Sequence, residues 1–103
     1  MVPKREPISK STVMHLVSPR AKELTRLGVK SLYLIGSVAR NEAGPDSDVD
    51  FLVDIEAPRT YDRYTDIKFF IEDILGFGID LVMVTALGRE MKDEVERDAL
   101  LVA

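Results

Sequence analysis

The sequence contains no cysteine, which excludes disulfide staples, thiolate catalysis and cysteine-ligated zinc together. It has no excess of basic residues. Lys and Arg number 14 against 18 Asp and Glu, for a net charge of −4 and a pI near 4.9, so a long polynucleotide is a poor candidate ligand and a basic protein surface a better one. No apolar run approaches the length of a membrane span, and the N-terminal MVPKREP lacks the apolar core of a signal peptide. The expectation is a cytoplasmic protein without a membrane partner. Gly-rich nucleotide loops of the Walker and Rossmann kinds are absent, as are repeats, linkers and low-complexity segments. The single histidine, His15, lies in a helical stretch and reads as a ring without a role. With 103 residues, 46% hydrophobic and 31% charged, the chain is expected to form one domain over residues 1–103, with no room for a second, substrate-binding domain.

What is present is concentrated between Gly36 and Asp54, in the stretch GSVARNEAGPDSDVDFLVD. An apolar run ending at Ile35 leads into Gly36-Ser37, and a second, Val49 to Ile55, leaves the polar loop. Asp48 and Asp50 stand two apart at the start of the second run. On a strand such residues share a face, about 6.6 Å apart at the backbone, and their carboxylates can converge on one cation. Carboxylates held together repel and lose solvation, so a fold that keeps them close calls for a metal or another strong cation. Mg²⁺ fits, because it takes one or two carboxylates together with substrate phosphates. Gly36 permits a positive φ or a close backbone approach. Ser37 is a good N-cap, and a short helix starting there would aim free N–H groups at an anion.

Around this loop the chain reads as alternating helices and strands. Val13, Leu16, Val17, Leu24 and Leu27 recur at helical spacing from Ser9 or Ser11 to Leu27, with Gly28 as the stop. Ser18-Pro19 either kinks or divides this helix. Val29 to Ile35 is a strand, Ser37 to Asn41 a short helix, Glu42 to Ser47 a loop with a Gly44-Pro45-Asp46 turn, and Asp48 to Ile55 the second strand. Thr60 caps a helix to Leu75 whose buried stripe is Tyr61, Tyr64, Ile67, Ile71 and Ile74, ended by Gly76 and Gly78. Ile79 to Val84 is a third strand carrying one carboxylate, Asp80, which needs a partner inside an apolar run. Thr85 would cap a last helix facing inward through Leu87, Met91, Val95 and Ala99. Residues 1–8 read as an extended leader. For Gly36, Asp48 and Asp80 to meet, strands one and two must run antiparallel, and strands two and three parallel through a right-handed crossover.

Taken singly, Asp48 as a turn cap, Asp50 as a solvated strand residue and Asp80 paired with a surface lysine would be ordinary. Together with the glycine loop they form a pattern. Gly36, Ser37, Ala39 and Arg40, followed by Ser47, Asp48 and Asp50, spell Gly-Ser-x-Ala-Arg and Ser-Asp-x-Asp, which resembles the signature of the minimal nucleotidyltransferase (MNT) branch of the DNA polymerase β-like nucleotidyltransferase superfamily. Asn41 stands where that family usually has glycine, and Asn tolerates the left-handed conformation.

The resemblance implies an α/β (α+β) polymerase β-like fold, with a three-stranded mixed sheet covered by helices. It implies a Mg²⁺-dependent enzyme that transfers AMP from ATP to a hydroxyl and releases pyrophosphate, with two Mg²⁺ ions held by catalytic Asp48, Asp50 and Asp80. Asp80 would also be the base. Gly36, Ser37, Arg40 and Ser47 would bind the nucleotide, although Arg40 could equally pair with Glu42 or Asp46 at the surface. In the MNT family the implied acceptor is a tyrosine of a HEPN ribonuclease toxin, which makes the chain an antitoxin. Two alternatives remain: a module that neutralises its partner by contact alone, and a small-molecule nucleotidyltransferase, against which the missing acceptor domain argues. Homo- or hetero-oligomeric assembly is left open.

Overall fold

The computed structural model describes residues 8–44 and 48–103, except the side chains of Met91 and Glu94. The expected leader (but for Ile8), the Pro45-Asp46 part of the turn and Ser47 lie outside the described residues. The first helical stretch divides at its proline. Helix α1 (Lys10–Val17) starts at Ser9, whose Oγ accepts from the Thr12 N–H at 3.1 Å. It gives way to a 3₁₀ turn at Ser18–Arg20 with Pro19 at its start, and α2 (Ala21–Arg26) resumes the α-helix. Pro19 has no N–H to donate and its ring crowds the preceding turn, so division follows.

Strand β1 (Val29–Ile35) runs antiparallel to β2 (Asp50–Ile55), and β2 runs parallel to β3 (Asp80–Met83). The two are joined by α4 (Tyr61–Leu75), which Thr60 caps by accepting from the Arg63 N–H at 3.2 Å and which Gly76 ends at φ 84°. Both strand directions and the helix joining β2 to β3 match the sequence reading. Two details do not. The sheet has four strands in the order β3-β2-β1-β4, because β4 (Leu100–Leu101) adds antiparallel to the free side of β1 at Tyr33 and Leu34. The last helix, α5 (Arg89–Asp98), starts after Gly88 rather than at Thr85, which sits in a 3₁₀ turn at Val84–Ala86 closed by the Leu87 N–H on the Val84 carbonyl.

The sheet has two unlike faces. Leu32, Leu34, Phe51, Val53, Ile55 and Leu81 pack into one cluster with Val13, Val17, Leu24, Ile67 and Ile71 from α1, α2 and α4. Phe51 alone, fully buried, stabilises the fold by about 2–3 kcal/mol. Tyr61, expected in the α4 stripe, is 79% exposed; as the first residue of the helix it lies beyond the edge of the sheet, and Tyr64 one turn on is the first to be covered. The period-two alternation sends Ser31, Tyr33, Asp50, Leu52 and Asp54 to the opposite face, and this second face carries the candidate site residue Asp50. Ile35 and Leu52 are buried but stand outside the core cluster, as residues of that face should.

Candidate active site

Gly36 is where β1 turns. Its φ is +75°, a conformation open to glycine, and a Cβ built on it would collide with Asp50 Oδ2. The backbone therefore lies directly against the carboxylate opposite, since Ile35 and Asp50 are register partners. Helix α3 (Gly36–Ala39) follows at once, with Ile35 at its N-cap position and no side-chain cap bond. Ser37 is thus within the helix rather than its cap, because the turn begins one residue earlier, at the glycine. Val38 and Ala39 are buried and anchor the turn. Asn41 ends it at φ 60°, the left-handed conformation expected from its amide side chain.

Asp80 is the register partner of Asp50 on the other side, so one strand position aligns Ile35, Asp50 and Asp80 across three strands. The Asp80 N–H donates to the Val49 carbonyl at 3.0 Å, extending the ladder just ahead of β2. Asp48 is exposed and precedes the strand, which starts at Asp50 rather than Asp48; buried Val49 between them preserves the alternation. Two residues without an evident sequence signal hold Asp80 in place. Glu72 Oε2 accepts from the Ile79 N–H at 2.9 Å, and the Tyr64 hydroxyl donates to the Leu81 carbonyl at 2.7 Å. Both lie on α4, so the crossover helix fixes the strand that carries the third carboxylate.

The Asp50 and Asp80 side chains stand within hydrogen-bonding reach, so that a carboxyl proton on one can bond to the other. Burial is the largest cause raising the Asp50 carboxyl, followed by that bond, by the charge of Asp80 and by that of Asp48, while Arg40 opposes them; the carboxyl is pushed up from 3.8 to about 6. A folded-state value above the unfolded one means that the native state holds the proton longer. Asp50 therefore contributes stability at low pH that is lost as pH rises through the window from about 4 to about 6. Melted in EDTA across that window, the wild type should lose ground against Asp50→Asn, and a pH-independent gap between the two would refute the assignment.

Arg40 pairs with Glu42 at 3.1 Å through Nε. An exposed pair of this kind contributes about 1 kcal/mol or less, so it does not withhold the guanidinium from a phosphate. Arg40, Gly36 and Asp50 line a cleft of about 230 Å³ together with Val95 and Asp98 of α5. Asp98 had no signal in the sequence, where α5 reads as a solvated charged face. The ordinary alternative for Asp80, a pairing with a surface lysine, is not found among the described residues. Nor does any group of three acidic or imidazole side chains among them stand close enough, as placed, to chelate an ion. The donor set nevertheless suits a divalent cation. Two carboxylates within reach of one proton can give the same oxygens to a metal, with Asp48 nearby, and oxygen-only ligation suits Mg²⁺.

A model of the nucleotidyltransferase domain family matches residues 18–102. Over 88 residues, 84% of this chain and 89% of the relative, the sequence is 35% identical to protein adenylyltransferase MntA of Thermococcus cleftensis. A solved candidate minimal nucleotidyltransferase superposes with a TM-score of 0.79 at 31% identity, over 90% of this chain and 95% of that one. At 16% identity, and so as a likeness of fold alone, a structure of a tri-AMPylated Shewanella oneidensis HEPN toxin in complex with MNT antitoxin matches with a TM-score of 0.60 over 87% of this chain and 71% of that one. Among the described residues no helix is long and apolar enough to cross a membrane.

Proposed function

The chain belongs to the nucleotidyltransferase domain family, and from that premise we propose that it transfers AMP from ATP to a tyrosine hydroxyl of a HEPN-type toxin and so acts as its antitoxin. The observation that carries this reading is that Asp50, in register with Asp80 on β3, lies against the Gly36 backbone and lines one cleft with Gly36 and Arg40. The HEPN partner is suggested by the toxin–antitoxin complex that shares the fold, and AMP by the adenylyltransferase relative.

Asp48, Asp50 and Asp80 would hold Mg²⁺, two ions in the full site, which supplies charge neutralisation for the triphosphate and the leaving pyrophosphate. The first amides of α3 have no intrahelical acceptor and would bind the terminal phosphates together with the Ser37 hydroxyl. Arg40 adds a cation beside them. Ser47, outside the described residues, is kept as a nucleotide contact on its motif position alone. Asp80, exposed and in register with Asp50, would take the proton of the attacking hydroxyl as the hydroxyl oxygen bonds to the α-phosphorus and the bond to pyrophosphate breaks. The work is positioning and charge neutralisation.

The test is to incubate wild type and Asp80→Asn with the partner, Mg²⁺ and ATP, reading the partner's intact mass and its ribonuclease activity. AMP addition and lasting inhibition with wild type alone are expected. Equal inhibition by both proteins with no added mass would mean that contact, not catalysis, neutralises the partner.

A further inference from the structure

Beyond Asp50 the same face of β2 continues through Leu52 to Asp54, and α5 does not close on it. None of the described α5 side chains is buried. Instead the helix spans a cleft of about 450 Å³, floored by Tyr33 and Leu52, bordered by Lys92 and Val95 of α5, and reaching Asp54. Val95 also borders the smaller cleft of Gly36, Arg40 and Asp50, so the two spaces adjoin. Asp54 and Lys92 line one cleft, yet among the described residues neither their side chains nor the Tyr33 hydroxyl has a hydrogen-bond or ion-pair partner. A half-buried carboxylate left unpaired is costly unless something outside the chain satisfies it.

We propose that this cleft seats the nucleobase of the triphosphate, flat against Tyr33 and Leu52, with an exocyclic amine donating to Asp54 and Lys92 donating to a ring nitrogen. The assignment rests on the nucleotidyltransferase reading above and adds the base subsite to it. The dimensions agree. Four residue steps of strand take Asp50 to Asp54, about 13 Å, comparable to the reach of an extended nucleoside monophosphate from its phosphorus to its amine. The direction agrees too, because the cleft extends down β2 away from Gly36 and Ser37, where the terminal phosphates would sit. An aromatic and aliphatic floor with a few polar groups at one end is the usual chemistry of a base site.

Calorimetric titration in Mg²⁺ with ATP, purine riboside triphosphate and inorganic tripolyphosphate tests this. The wild type should prefer ATP to the analogue lacking the amine by about tenfold. Asp54→Ala should abolish that preference. Glu96→Trp, an α5 position that lines only the larger cleft and fills it from the helix side, should weaken ATP by about tenfold or more. Both variants should bind tripolyphosphate as wild type does, which also shows that they are folded. If Asp54→Ala keeps the preference and Glu96→Trp binds ATP normally, the base lies elsewhere and the proposal is overturned. It is likewise overturned if both variants lose tripolyphosphate along with ATP, since the cleft would then be structural. Failure of the wild type to bind either ATP or tripolyphosphate would instead bring down the nucleotidyltransferase reading, and the base site with it.

Discussion

Asp50→Asn is expected to lower nucleotide transfer by on the order of 10²-fold or more while leaving the metal-free protein at least as stable as the wild type near neutral pH. The two halves of this result have one cause. Among the described residues Asp50 is the carboxylate that meets both sides of the site: it packs against the Gly36 backbone and lies within hydrogen-bonding reach of Asp80. Its charge is opposed by burial and by two neighbouring carboxylates, with Arg40 as the one offsetting cation. Asparagine keeps the shape and removes the charge, so the repulsion is relieved and the cation loses a ligand. A substitution that stabilises the fold while eliminating activity cannot act through unfolding. Turnover with saturating Mg²⁺·ATP and a thermal melt in EDTA measure the two halves. Turnover near the wild-type rate would refute the metal assignment, and a large drop in melting temperature would refute the account of Asp50 as a strained, repelled group.

Much of this site was legible in the sequence because it is local. Gly36, Asp48 and Asp50 lie on one loop and the strand that follows it, where spacing translates directly into geometry. Asp80 stood out as the lone acid in an apolar run, and the requirement that it meet Asp50 set the strand directions before any coordinates. Asn41 was readable for a different reason, as one of the few residues other than glycine suited to the left-handed conformation it adopts.

What was not legible depends on tertiary placement. Leu100 and Leu101 pair with β1 over two residues only, too few for alternation to register. Ser37 looks like a cap, but the turn starts at Gly36, and which of two adjacent residues opens a helix is decided by the backbone against Asp50. Thr85 likewise resembles a cap, yet the chain spends three residues in a 3₁₀ turn before α5 begins. Asp98 and Lys92 lie on a helix whose composition describes a solvated face, and only its position across the sheet makes them cleft residues.

Gly36→Ala should be as damaging to transfer as Asp50→Asn, and unlike it should also destabilise the fold, by about 2–4 kcal/mol. Two separate costs contribute. Holding alanine at φ +75° costs about 1–2 kcal/mol. The remainder comes from the new methyl group, which would overlap Asp50 Oδ2 and force the carboxylate away from Asp80 or the turn away from β2. Either movement separates the turn proposed to bind phosphates from the acid proposed to bind the metal, so activity should fall whichever gives way. A double-mutant cycle resolves the two costs. In an Asp50→Gly background the methyl group meets no carboxylate, and Gly36→Ala should then cost only the conformational strain, about 1–2 kcal/mol. Equal costs in the two backgrounds, measured by denaturant unfolding in EDTA, would mean that the turn does not press on Asp50, and that its glycine serves the backbone angle alone.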